Sequence, residues 1–216
     1  MYLSDALKET SVMDIIREAI TIDYDRIADV VAAKMEPRIS ELEAQLREKD
    51  EEIATLQGRV AELERQADDQ EQYSRRTSIR ISGVPENQGE DIIAVTKDLL
   101  SKIECDPVIN RVHRVGPVHE SADSPRSILC QFLSYGAKAH VMKQRSLLKT
   151  KAQGVFINED LTRKRSKLLY QCRKLVKDGK IDSAWSFDGR IAIKTKNDRV
   201  IVPIRKESDL TTYKSA

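Results

Sequence analysis

Between Ile39 and Gln70 apolar residues return every three and four positions through five consecutive heptads, and this repeat narrows the folding options more than anything else in the chain. With Ile39 at position a, the a series is Ile39, Leu46, Ile53, Val60 and Ala67, and the d series is Leu42, Lys49, Leu56, Leu63 and Gln70. Eight of these ten are apolar. A lone helix so patterned would hold a continuous apolar stripe in water, so the repeat predicts a coiled coil over residues 37–73. Arg38 at g faces Glu43 at e, and Arg59 at g faces Glu64 at e, as parallel copies of one chain require. β-Branched residues at a with Leu at d lean towards two strands. However, Arg38 to Glu43 and Arg59 to Glu64 both read Arg-apolar-x-x-apolar-Glu, where Arg packs across the seam to Glu of a neighbouring helix. That arrangement resembles trimer-specifying motifs, and two copies favour a parallel homotrimer.

Charge divides the chain at the end of this repeat. Residues 1–72 hold 9 Lys and Arg against 19 Asp and Glu, a net charge of −10, whereas residues 73–216 carry a net charge of +12. A basic portion of this size predicts a polyanionic partner, nucleic acid first and an anionic membrane surface second. No apolar run reaches the roughly 20 residues of a membrane span, and Asp5, Lys8 and Glu9 break any signal-peptide core in the first ten residues. Cys105, Cys130 and Cys172 are odd in number and far apart, which predicts free, mostly buried thiols in a reducing compartment. His113, His119 and His140 lack Cys or carboxylate partners at ligand spacing, so no metal site is expected. No nucleophile-elbow, P-loop or dinucleotide fingerprint is present, and neither catalysis, a cofactor nor a small-molecule substrate is expected.

The remaining segments read as an α+β chain. Residues 1–36 place Val12, Ile15, Ile16, Ala19, Ile20, Ile27, Val30 and Val31 at helical spacing, as one or two short amphipathic helices. From Arg75, strand-like Ser78–Ser82 ends at Gly83-Val84-Pro85. A helical stripe over Asp91–Ile103 follows, then strand-like Val108–Val115 and Ser127–Leu133, a helix over Ala137–Leu148, and a short strand at Val155-Phe156-Ile157. The order βαββαβ over residues 74–153 and just beyond is the RRM-like plan. Residues 154–210 read as a small basic α+β domain, with Gly154 as the joint and residues 211–216 as a tail. In it Leu161, Leu168, Leu169, Cys172, Leu175 and Val176 stripe one side of a helix that Gly179 terminates. Arg163, Lys167, Tyr170, Lys174 and Lys177 cluster on the other side, and Arg165 falls unexplained within the apolar arc. Asp188-Gly189 predicts a type I′ hairpin, Asn197-Asp198 a turn, and Val200-Ile201-Val202 a third strand.

Several cations are candidates for contact with nucleic acid. Arg75, Arg76 and Arg80 stand where the coiled coil passes into the basic region, and in a trimer three copies would ring the axis. Arg111 and Arg114 flank His113 at a strand end. Tyr170, amid Arg163, Lys167 and Lys174, is placed either to stack on a base or to lie partly buried on its helix. Trp185, beside the hairpin turn, is expected in the core of the small domain.

The order of segments, with Tyr73-Ser74-Arg75-Arg76, Ile79–Glu86, Val112-His113-Arg114-Val115-Gly116 and Phe156–Thr162, resembles the first-open-reading-frame proteins of LINE-type non-LTR retrotransposons. It also resembles the baculovirus few-polyhedra family, which shares the C-terminal portion. The likeness spans roughly residues 37–210. It implies a homotrimeric nucleic-acid chaperone that prefers single-stranded RNA, with DNA as a second ligand. Such a protein coats element RNA in a cytoplasmic ribonucleoprotein, with the nucleus as a further location. By the matching stretches Arg75, Arg76, Arg80, Arg114 and Arg126 would contact RNA. The strand Ser127–Phe132 lacks the aromatic signature by which ordinary RRMs stack bases, so binding would rest on phosphate clamping. The few-polyhedra likeness carries a rival expectation, an assembly protein in virion or membrane-protein trafficking.

Overall fold

A computed structural model describes residues 2–117, 124–196 and 198–214, with side chains from Val12 onward except Ala19 and Ile22. It shows an α+β chain in which a long N-terminal helix is followed by antiparallel sheets. The chain divides into two compact units, residues 1–63 and 64–216.

Helix α1 spans Tyr2–Ser74 without interruption, which corrects the expectation of one or two short helices before residue 37. Pro37 lies inside it and, having no N–H, forfeits the bond to the Ala33 carbonyl. The helix continues because no glycine or second proline adds to that loss before Gly58. In the single chain, Ile39, Leu42, Leu46, Ile53, Leu56, Val60 and Leu63 are 48–64% exposed. Nothing else in the first unit covers them, since this unit is the helix alone.

The second unit begins with the last turns of α1. Strand β1 (Ser78–Ser82), helix α2 (Ile92–Ser101), β2 (Ile109–Arg114), β3 (Ile128–Phe132), helix α3 (Tyr135–Gln144), a 3₁₀ turn, the short helix α4 (Leu148–Lys151) and β4 (Phe156–Glu159) follow in order. The strands form one antiparallel sheet in the order β2-β3-β1-β4. Ile79 and Ile81 from β1, Ile128, Cys130 and Phe132 from β3, and Ile157 from β4 pack against Leu99, Leu100 and Ile103 at α2, with Val141 and Leu148 completing the core. Asp91 caps α2 by accepting from the Ile93 and Ala94 amides, and Ser134 caps α3 through the Ala137 amide. Gly83 could be no other residue: its φ is +86°, and a Cβ there would fall against the Gly154 carbonyl oxygen.

Because β4 pairs with β1 from Ile79↔Glu159 to Ser82↔Phe156, Gly154 precedes the last strand of the first sheet. The passage to the second sheet therefore lies at Asp160–Thr162, not at Gly154. Helix α5 (Arg163–Lys177) starts from Thr162, whose hydroxyl accepts from the Arg165 amide. It packs Leu168, Leu169, Cys172 and Leu175 against Ile191, Ile193 and Ile204 of a meander formed by β5 (Ser183–Phe187), β6 (Arg190–Lys194) and β7 (Ile201–Ile204). Asp188 and Gly189 both take positive φ, +51° and +73°, as a type I′ turn requires. Of the expected turn at Asn197-Asp198, Asn197 lies outside the described residues, as does His119. All three cysteines are buried free thiols, and burial pushes Cys130 up to about 12 and Cys172 up to about 11.

Trp185 does not join this core. Its strand neighbour Ala184 packs on the cluster under α5, so Trp185 takes the opposite face of the sheet, with Ser183 and Phe187. The side facing α5 is filled by the isoleucines of β6 and by Ile204, and small Ala184 and Ser186 suffice opposite them.

Candidate nucleic-acid interface

Glu159 ends β4 and Asp160 follows it, consecutive carboxylates that are both buried. The Asp160 carboxylate accepts from Arg75 Nη1 at 2.9 Å and from Arg80 Nη2 at 2.8 Å. Arg75 donates as well to Glu71 at 2.6 Å. Glu159 accepts from Lys138 Nζ at 2.5 Å and from the backbone amides of Asp188 and Gly189 at 2.9 and 3.1 Å. The Tyr135 hydroxyl donates to Asp188. Two of the expected nucleic-acid contacts, Arg75 and Arg80, thus share one internal carboxylate.

The last turns of α1 enter the same junction. The Gln72 side chain is buried, donating to the Asp160 carbonyl and accepting from the Thr162 amide, both at 3.0 Å. Asp68 accepts from the Thr162 hydroxyl at 2.6 Å and from Arg165 Nε at 2.7 Å. Arg165 further donates to Asp69 and to the Gly189 carbonyl. These partners explain why an arginine stands in the apolar arc of α5. Burial alone would raise the Asp68 carboxyl, but the hydrogen bonds from Thr162 and Arg165 and the nearby positive charge hold it below the usual carboxylate range.

Arg114 and Arg126 turn inward or sideways. The Arg114 side chain is 6% exposed and spends all five N–H groups: on both oxygens of Glu90 and on the carbonyls of Val84, Pro85 and Arg126. It offers no donor to a ligand, and the expectation of an RNA contact there is corrected. Its work is to fasten the loop after Gly83 to the end of β2. The Arg114 bonds hold the Glu90 carboxyl below its ordinary value despite desolvation. Arg126 binds the Glu86 carboxylate and the Gly116 carbonyl.

The other candidates face outward. Arg76 lies over the Tyr73 ring, 3.9 Å from its centroid. Arg111 is exposed on β2, across from Gln131. On α5, Arg163, Lys167, Lys174 and Lys177 are exposed, as is Tyr170 at 70%, so the reading of Tyr170 as partly buried gives way. Turn spacing sets all five in one stripe. The 15 residues of α5 contain no carboxylate.

The strand register also defines the sheet face turned away from α2 and α3. His113, Leu129, Arg80 and Asn158 form one row across all four strands, with Arg111, Gln131 and Ser78 on one side and Ser82 and Phe156 on the other. Phe156 is 60% exposed there. Sequence reading saw it only as part of a strand; its parity, opposite to buried Ile157, was the available signal. Glu159 and Asp160 were likewise missed, although adjacent carboxylates in so basic a region mark internal pairing. Among the described residues no cluster suited to a metal ion occurs, and no helix is long and apolar enough to cross a membrane. Compared with models of protein families and with curated proteins, the sequence gives no match.

Proposed function

We propose that this protein is a homotrimeric RNA-binding protein and nucleic-acid chaperone of the retrotransposon first-open-reading-frame type, acting by binding rather than catalysis. Its first sheet is of RRM-like plan, and it coats element RNA in a cytoplasmic ribonucleoprotein. The observation that carries this reading is the outer stripe of α5: four exposed cations and one exposed tyrosine at one-turn spacing, on a helix without a carboxylate. Clustered cations neutralise phosphates and release counterions, and an aromatic ring among them accepts any base by stacking. The exposed heptad seam of α1 supports self-association, which joins several heads on one strand and raises their effective concentration.

A salt titration of the full chain on an unstructured RNA tests the reading. Log affinity falls linearly with log salt, by about 0.7 per phosphate neutralised. Changing Arg163, Lys167 and Lys174 to Ala together weakens binding on all sequences and flattens that slope by about 2. Tyr170→Ala weakens binding by about 1–3 kcal/mol and leaves the slope unchanged. Wild type binding no better than a neutral control at low salt rejects the proposal, and the trafficking role, with basic heads on acidic protein or lipid surfaces, replaces it.

A further inference from the structure

The face of the second sheet turned away from α5 is unusual for a surface. Strand parity sets eight residues on it: Ser183, Trp185 and Phe187 from β5, Arg190, Ala192 and Lys194 from β6, and Ile201 and Pro203 from β7. Their alternates, among them Ala184, Ile191, Ile193 and Ile204, pack beneath α5. Phe187 is 69% exposed and Ile201 62%. Three rows cross the strands. Phe187 faces Arg190; Trp185 faces Ala192, which faces Pro203; Ser183 faces Lys194, which faces Ile201.

In the middle row the smallest residue, Ala192, lies on the central strand between the Trp185 and Pro203 rings. A cation stands in the row on either side, Arg190 towards the turn and Lys194 away from it, the latter 3.3 Å from the Asp182 carboxylate. None of the eight outward residues is acidic. The hairpin that carries this row is held at its turn, where Glu159 accepts both the Asp188 and Gly189 amides. Flat aromatic surface between cations on a rigid sheet is complementary to a strand of unpaired bases, whose π-faces meet the rings while the phosphates meet the cations. An apolar protein partner would desolvate the Arg190 charge without offering it a counter-charge.

We propose that this face is a second nucleic-acid contact surface, on which Trp185 and Phe187 stack successive bases of a single strand and Arg190 and Lys194 hold its phosphates. The inference rests on the reading of the protein as an RNA binder and adds to it a salt-resistant component on the side of the sheet opposite the α5 stripe.

Trp185 is the only tryptophan of the chain, so its emission reports this face alone. The full-length protein is titrated with an unstructured oligouridylate, following RNA anisotropy for total binding and tryptophan fluorescence for contact. The surface requires that emission be quenched along the same isotherm as the anisotropy. It requires also that Trp185→Ala and Phe187→Ala each weaken binding about 5- to 150-fold at every salt concentration, with the salt slope unchanged. Trp185→Phe keeps a ring and restores most of the affinity, which a loss caused by disturbed folding would not show. Ala192→Glu sets a carboxylate between the rings without removing one and lowers affinity as well. Tight RNA binding with unchanged emission and with both alanine variants at wild-type affinity overturns this surface and leaves the proposed function intact. Absence of RNA binding at low salt overturns both. Should Trp185→Ala fail to fold, Phe187→Ala and the wild-type emission decide the matter, since Phe187 is exposed.

Discussion

Arg114 illustrates how far a residue's neighbours decide its role. By type and position it is a phosphate ligand; by its five bonds it is an internal fastener. Arg114→Ala would leave Glu90, itself mostly buried, and three carbonyls without their donor, and should cost about 3 kcal/mol in denaturant unfolding. RNA affinity per folded molecule should stay at the wild-type value. Glu90 and Asp68 also contribute to the pH dependence of stability. Both have folded pKa values below the ordinary carboxylate value, so the unfolded chain takes up protons first as pH falls. Their contribution is complete above the unfolded carboxylate pKa of about 4, and it is lost as pH drops through the depressed folded values. Asp68→Asn should therefore lower stability at neutral pH and flatten the dependence of unfolding free energy on pH in that acid window.

Among the elements, the heptad part of α1 and the whole of α5 were legible from the chain because their apolar periods are long, whereas the run of α1 before residue 37 reads as shorter helices. Five heptads repeat one message, and Gly179 marks the end of α5, whose start at Thr162 only the structure shows. The strands carried less. In Ser183–Phe187 the larger side chains share one parity, and the usual rule that large aromatics seek the interior assigns Trp185 to the wrong face. What reverses it is the leucine face of α5, which fills the space beneath the sheet and belongs to another stretch of chain. The partners of Arg114 and Arg126 likewise lie 24 and 40 residues away, at Glu90 and Glu86, separations to which no local pattern points. A test at this scale concerns the seam. Each half-exposed Leu or Ile stabilises an assembly by on the order of 1 kcal/mol when covered, and a charge there repeats in every chain. If the proposed trimer forms, Leu56→Asp should shift the light-scattering mass from that of three chains towards one at low concentration. An unchanged mass would remove Leu56 from the interface.

For the whole molecule, the boundary between compact units falls after Leu63 rather than at the end of the heptads. Asp68, Asp69 and Gln72 are hydrogen-bonded to the head, with Gln72 buried, so the final turns of α1 are part of its folded body. A fragment starting at Glu64 should unfold cooperatively as a monomer. A fragment starting at Tyr73 leaves Arg165 with the Gly189 carbonyl but neither of its carboxylates, and the Thr162 amide without Gln72, and should be less stable by about 2–4 kcal/mol in thermal or denaturant unfolding. Equal stability of the two fragments would show that the helix end only rests on the head.

This junction has a consequence for how such a chain can be rebuilt by recombination. Glu159 and Asp160 look in two directions, one binding Lys138 and the β5–β6 turn, the other binding Arg75 and Arg80. A crossover at Gly154, where composition suggests a seam between modules, would carry off β4 and strip the first sheet of its outer strand. A crossover at residue 73 would trade away the helix turns that Thr162 and Arg165 recognise. The unit of inheritance is therefore the block from Glu64 onward, and chimeras that exchange it whole, behind any in-register helical stalk, are the ones expected to fold.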